Sequence, residues 1–124
     1  MANIFELPDP STEVSTIDGA ATLTTTQLIN GLILSTPTAA RTFTTPTATE
    51  ILAAVKTPKV GAAFSLGIRN TSAGAYALTL AGGTGVTVVG TATTAQNVAS
   101  IFWGVVTAVD TPAVSLYRMG TGAV

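Results

Sequence analysis

Gly61-Ala-Ala-Phe-Ser-Leu-Gly-Ile-Arg-Asn70, continuing as Thr71-Ser-Ala-Gly-Ala-Tyr-Ala-Leu-Thr-Leu80, carries the pattern on which the fold turns. Phe64, Leu66 and Ile68 alternate with Ala63, Ser65, Gly67 and Arg69, the period of two that sends every second side chain to one face of a strand. Asn70-Thr-Ser-Ala-Gly74 supplies turn residues, and Tyr76, Leu78 and Leu80 resume the alternation. The segment therefore predicts a β-hairpin.

The same alphabet extends in both directions. Downstream, Gly82-Gly-Thr-Gly85 predicts a turn, 86–89 a strand, 91–97 a polar loop and 98–109 a long strand. Asp110-Thr-Pro-Ala113 then reads as a turn before a last strand over 114–119. Upstream, 21–29 and 32–35 read as strands with Asn30-Gly31 as a hairpin turn or bulge, and 41–45 as a further strand ahead of Pro46. Threonine occurs 24 times, and a β-branched hydroxyl residue suits a half-exposed strand better than a helix interior.

One helix interrupts the series. Thr47-Ala-Thr-Glu50 is a capping-box sequence directly after Pro46, and Ile51, Leu52 and Val55 give it an apolar side, so a short helix is expected over about 47–56, ending before Pro58. The fold class that follows is all-β: an antiparallel β-sandwich or jelly roll with that one helix and an extended N-terminal arm. The arm is assigned to residues 1–18 and a single β-sandwich domain to 19–124.

Ile101, Phe102 and Trp103 are consecutive in the long strand and cannot all face one way. Both faces must be covered there, the outer one by the helix, the arm or another subunit. Trp103 is expected in the core, and Gly104 is expected to mark a bulge or a close backbone approach.

Composition narrows the function. The 124 residues contain no histidine and no cysteine, 9% charged residues against about a quarter in an average domain, and 47% hydrophobic residues. Disulfide, zinc-thiolate and thiol-nucleophile chemistry are excluded, as is a Ser-His-Asp arrangement. Beyond the N-terminal arm the carboxylates are Glu50, assigned to the cap, and Asp110, assigned to a turn, so an enzyme is not expected, nor a cofactor or metal. Gly82-Gly-Thr-Gly85 fits neither dinucleotide nor Walker spacing. Five bases and a net charge of −1 argue against nucleic acid, and no apolar run approaches the roughly twenty residues of a membrane-spanning helix. The opening residues lack a positive n-region and an apolar h-region, so no signal peptide is expected.

So few charges leave a surface of Thr, Ser, Asn, Gly and Ala, which repels neighbours weakly and suits a homo-oligomer or lattice component. Residues 1–18 hold four of the six acids and no base, together with Ile4, Phe5 and Leu7. This stretch is either a frayed terminus or an arm docking on a neighbouring subunit, the apolar tip favouring the second. Candidate partner-contact residues are therefore Ile4, Phe5 and Leu7 on the arm, with Arg41, Arg69 and Arg118 as receiving bases in the body; the plainer role for those arginines is to cover apolar surface with their stems.

Pro46-Thr-Ala-Thr-Glu50-Ile51, Val60-Gly61 ahead of an alternating strand, Ile68-Arg-Asn-Thr-Ser-Ala-Gly74, Gly83-Thr-Gly-Val-Thr87 and Leu116-Tyr117-Arg118 resemble a module in virion proteins of tailed bacteriophages, many of which infect cyanobacteria and other aquatic bacteria. The likeness covers roughly residues 36–119 and rests on turn and strand signatures. It implies a capsid decoration (cement) protein or a head or tail fibre module. A cement protein of this kind, often a trimer, is made in the host cytoplasm and sits on the outer capsid surface over junctions of the major capsid protein. The chain lacks a long fibrous or collagen-like stretch, which favours cement over fibre. The alternative is a receptor- or carbohydrate-binding tail or fibre module, for which exposed aromatics would be needed.

Overall fold

The computed structural model describes residues 13–124. Ten strands and two short helices follow in the order β1 (Val14–Thr16), β2 (Ala21–Thr22), α1 (Thr25–Leu28), β3 (Gly31–Ser35), β4 (Arg41–Thr44), α2 (Ala48–Ala54), β5 (Ala63–Asn70), β6 (Leu78–Ala81), β7 (Val86–Val89), β8 (Thr93–Thr94), β9 (Val98–Ala108) and β10 (Ala113–Ala123). They form a six-stranded sheet, β1-β3-β5-β9-β10-β7, and a four-stranded sheet, β2-β4-β6-β8. One buried cluster is shared by both, with Ile33, Leu66, Ile68, Phe102 and Leu116 from the first and Phe43, Leu78 and Leu80 from the second. The chain is thus β-rich, as its alternation predicts.

The strand arrangement differs from the antiparallel one expected. From β1 to β6 the chain alternates between the sheets, laying each new strand parallel to the one it placed there a pass earlier: β1, β3 and β5 run parallel, as do β2, β4 and β6. Antiparallel pairing enters with β9 against β5, β10 against β9, and β8 against β6, while β7 lies parallel to β10. The sheets are mixed. Period-two alternation reports which face a side chain takes and is silent on strand direction, which is why the sequence misled here.

The hairpin predicted over 61–80 does not form, because β5 and β6 belong to different sheets. Asn70 decides this. Its side chain is fully buried; Nδ2 donates to the Tyr76 carbonyl (2.7 Å) and the Thr94 carbonyl (3.0 Å), and Oδ1 accepts from the Ser72 amide (3.0 Å). Ser72 Oγ adds a bond to the Gly74 carbonyl at 2.7 Å, and Thr94 Oγ1 reaches Ser100 Oγ on β9 at 2.7 Å. This polar knot turns the chain out of one sheet and ties it to the other.

Two helices form rather than one. Thr47 caps α2 through its bond from the Glu50 amide, and the Glu50 carboxylate accepts from the Thr47 amide at 2.9 Å, as the capping-box sequence predicts. The same motif, Thr24-Thr-Thr-Gln27, caps α1 inside the stretch read as a strand: Thr24 Oγ1 accepts from the Gln27 amide and Gln27 Oε1 from the Thr24 amide. Asn30 follows with φ 55°, so Asn30-Gly31 ends the first helix rather than making a hairpin. A Cβ at Gly31 would overlap the Gln27 carbonyl, so only glycine allows this exit.

Of the residues assigned to the N-terminal arm, Val14–Thr16 form edge strand β1, and Asp18 Oδ1 accepts from the Thr36 amide at 2.8 Å. Ile4, Phe5 and Leu7 lie outside the described residues. The polar loop over 91–97 contains β8, and the last strand runs four residues further than expected, to Ala123.

Candidate interaction face

β9 crosses the middle of the six-stranded sheet and is apolar on both sides. Phe102, Gly104 and Val106 point into the core; Gly104 takes the Phe64 ring against its backbone, and a Cβ there would collide with that ring, so the expected close approach is real. The opposite parity places Ile101 and Trp103 outside, 53% and 45% exposed. Trp103 is therefore a surface residue, not the core residue its size suggests. The Phe64–Gly104 packing fixes which parity faces inward.

Register builds a patch around this pair. Trp103 stands between Ser65 on β5 and Tyr117 on β10, and Tyr117 in turn neighbours Val89 on β7. Ile101 stands beside Gly67, which stands beside Leu32, which stands beside Val14. Gly67 matters because its missing side chain leaves the Leu32 methyl lying over it, 3.1 Å from where a Cβ would be. Met119, 61% exposed, occupies the irregularity in the β9–β10 register next to Ile101. Gly120 and Gly122 leave a shallow trough of about 380 Å³ alongside, lined also by Ala99, Thr121 and Ala123.

The flanking rows, Thr16-Leu34-Arg69-Ala99-Gly122 and Ala63-Val105-Ser115-Thr87, contain one charge, that of Arg69. Six large apolar side chains (Val14, Leu32, Val89, Ile101, Trp103, Tyr117) are thus exposed on one sheet face, with Met119 exposed at the register irregularity beside them. Six strands at ~4.8 Å spacing and four side-chain rows at ~6.8 Å give a face of roughly 500 Å². Among the aromatics of the described residues, Phe43, Phe64 and Phe102 are buried, while Tyr76, Trp103 and Tyr117 are exposed. No protein-family model, curated protein or solved structure matches the chain.

The three arginines are not brought together. Arg69 stands exposed at the margin of the apolar face. Arg41 is half-buried at the start of β4 in the other sheet, with Nη2 3.5 Å from Thr38 Oγ1. Arg118 points inward: Nη1 donates to the Thr91 and Thr93 carbonyls (2.7 and 2.8 Å), and the guanidinium lies 5.7 Å from the Phe102 ring centre. Its role is to close the gap between β10 and the strand that precedes β9, with its stem over apolar surface.

A second concave feature lies where the start of β3 and β5 meet the helices. Ile29, Val55, Ala62 and Phe64 floor a cavity of about 410 Å³, and Thr25, Asn30, Lys56 and Lys59 stand around it. Lys56 and Lys59 follow the last turn of α2, and both are exposed. The sequence shows both lysines but not that the Asn30 turn is folded beside them.

Proposed function

We propose that this protein is a structural, non-catalytic virion component that binds the outside of a phage capsid through the exposed apolar face of its six-stranded sheet, acting as a decoration (cement) protein in a homo-oligomer, with a trimer favoured. The observation that carries the reading is the face itself: broad, apolar, built on paired strands and, among the described residues, flanked by a single charge in a chain with only eleven. Burying roughly 500 Å² contributes at most about 12 kcal/mol gross at 25 cal/mol per Å², against association costs of a similar size. One such contact is modest. Repeated over a lattice and across the subunits of an oligomer it becomes strong, which is the regime in which a cement protein works.

The side-by-side exposure of Trp103 and Tyr117 favours one second reading, a receptor- or carbohydrate-binding tail or fibre module, in which the two rings stack on a ligand. Its weakness is the company they keep. Val89, Ile101 and Gly67 surround them, where a sugar needs several hydrogen-bonding groups. Cosedimentation with expanded capsids separates the two. Stoichiometric binding lost in Trp103→Ser supports decoration; capsid binding indifferent to that change, with retention on a glycan array, would replace it with the second reading.

A further inference from the structure

We propose that the cavity beside Lys56 and Lys59 is filled by the chain's own N-terminal segment, with Phe5 and Leu7 inserted over Ile29, Val55 and Phe64 and with Glu6 and Asp9 facing the two lysines. The proposal is independent of the capsid reading. Three observations lead to it.

The first is where the described chain begins. The Leu32 amide donates to the Glu13 carbonyl at 2.9 Å, and β1 pairs parallel with β3 from Val14↔Leu32 onward. That bond sets Glu13 beside the start of β3, two positions beyond Asn30, which is itself part of the cavity wall and whose Oδ1 accepts from the Ser65 amide at 3.1 Å. The chain thus enters the fold at the mouth of the cavity. Seven extended residues, from 12 back to 5, reach ~23 Å, ample to lay Phe5 inside it.

The second is chemical match. The cavity has an apolar floor and two cations beside it, and its 410 Å³ lies within the roughly 300–1,000 Å³ of pockets that take small organic ligands, room for two large side chains. Residues 1–12 offer Ile4, Phe5 and Leu7 with Glu6 and Asp9 and carry no basic side chain. In an extended stretch Phe5 and Leu7 share one side.

The third is tethering. A segment attached a few residues from its site has an effective concentration in the millimolar range, so a chain fills its own cavity ahead of a neighbour's. The acids then meet Lys56 and Lys59, not the arginines in the body of the sheets.

The chain has no cysteine, so a disulfide trap is clean. Glu6→Cys is paired with Lys56→Cys under mild oxidation and compared with Glu6→Cys paired with Tyr117→Cys on the outer sheet face, folding being checked by thermal melts. The expected result is a monomer-mass cross-link forming about tenfold or more faster in the first pair, because both pairs are tethered alike and only docking in the cavity holds position 6 beside position 56. Adding Phe5→Ala and Leu7→Ala should erase that advantage. Equal rates in the two pairs overturn the proposal, as does a dimer-mass product from the first pair, which would assign the cavity to a neighbour's segment. An advantage that survives loss of Phe5 and Leu7 also overturns it.

Discussion

The two faces of β9 are nearly matched in hydrophobicity and opposite in fate. Inward, Phe102 and Val106 are fully buried, with Gly104 receiving the Phe64 ring between them. Outward, Ile101 and Trp103 carry at least as much apolar surface and stand in solvent beside Tyr117. Apolar content does not choose the inner face. Complementarity does: a ring against a glycine and a satisfied polar knot can be made on only one side. The outer face has the hydrophobicity of a core without a partner in the described chain.

Five substitutions test that contrast, from the largest expected effect on stability to the smallest. Asn70→Leu removes the side chain that satisfies two buried carbonyls and one amide, and is expected to cost ~3 kcal/mol, read as a lower midpoint in urea unfolding. Gly104→Val drives a side chain into the Phe64 ring and should cost ~2 kcal/mol through forced repacking. Unchanged stability in that variant would show that the inner parity is not fixed by this contact.

Thr47→Ala removes the α2 cap and should cost ~1 kcal/mol, with Thr24→Ala close behind. If only one of the pair registers in thermal melts, the shared capping motif does not mean shared importance. Trp103→Ser on the outer face should change stability by less than ~0.5 kcal/mol. Its effect should fall on association instead: cosedimentation with expanded capsids is expected to be lost at equal concentration, and a large drop in melting temperature would instead mark Trp103 as part of the fold.

Much of the fold can be read in the sequence wherever a local rule decides it. Thr47-x-x-Glu50 specifies its cap, Asp110-Thr-Pro-Ala113 makes a true hairpin between neighbouring strands, and Phe64, Leu66 and Ile68 face the core together. What escapes are features requiring two distant segments at once. The crossing out of β5 into the other sheet is tied by Asn70 to Thr94, 24 positions away. The parity of Trp103 depends on Phe64, 39 positions earlier. Thr24-x-x-Gln27 was legible, being the same motif as the second cap, but it is submerged in threonines that read as strand. The exposed apolar face is the least legible element, since its members come from five strands and are individually indistinguishable from core residues.

The sheet edges have a further consequence. Among the described residues the outermost strands are β1, β7, β2 and β8, of three, four, two and two residues. A growing fibril recruits each new chain along a long run of unpaired amides and carbonyls, and none of these strands provides one. A protein with so few charges has little electrostatic defence against laddering into filaments. Geometry supplies part of the defence instead: contacts can accumulate flat against the sheet while growth past these short outermost strands is cut short, and the longer open edge that the described strands leave is the 118–123 end of β10, which β7 does not reach.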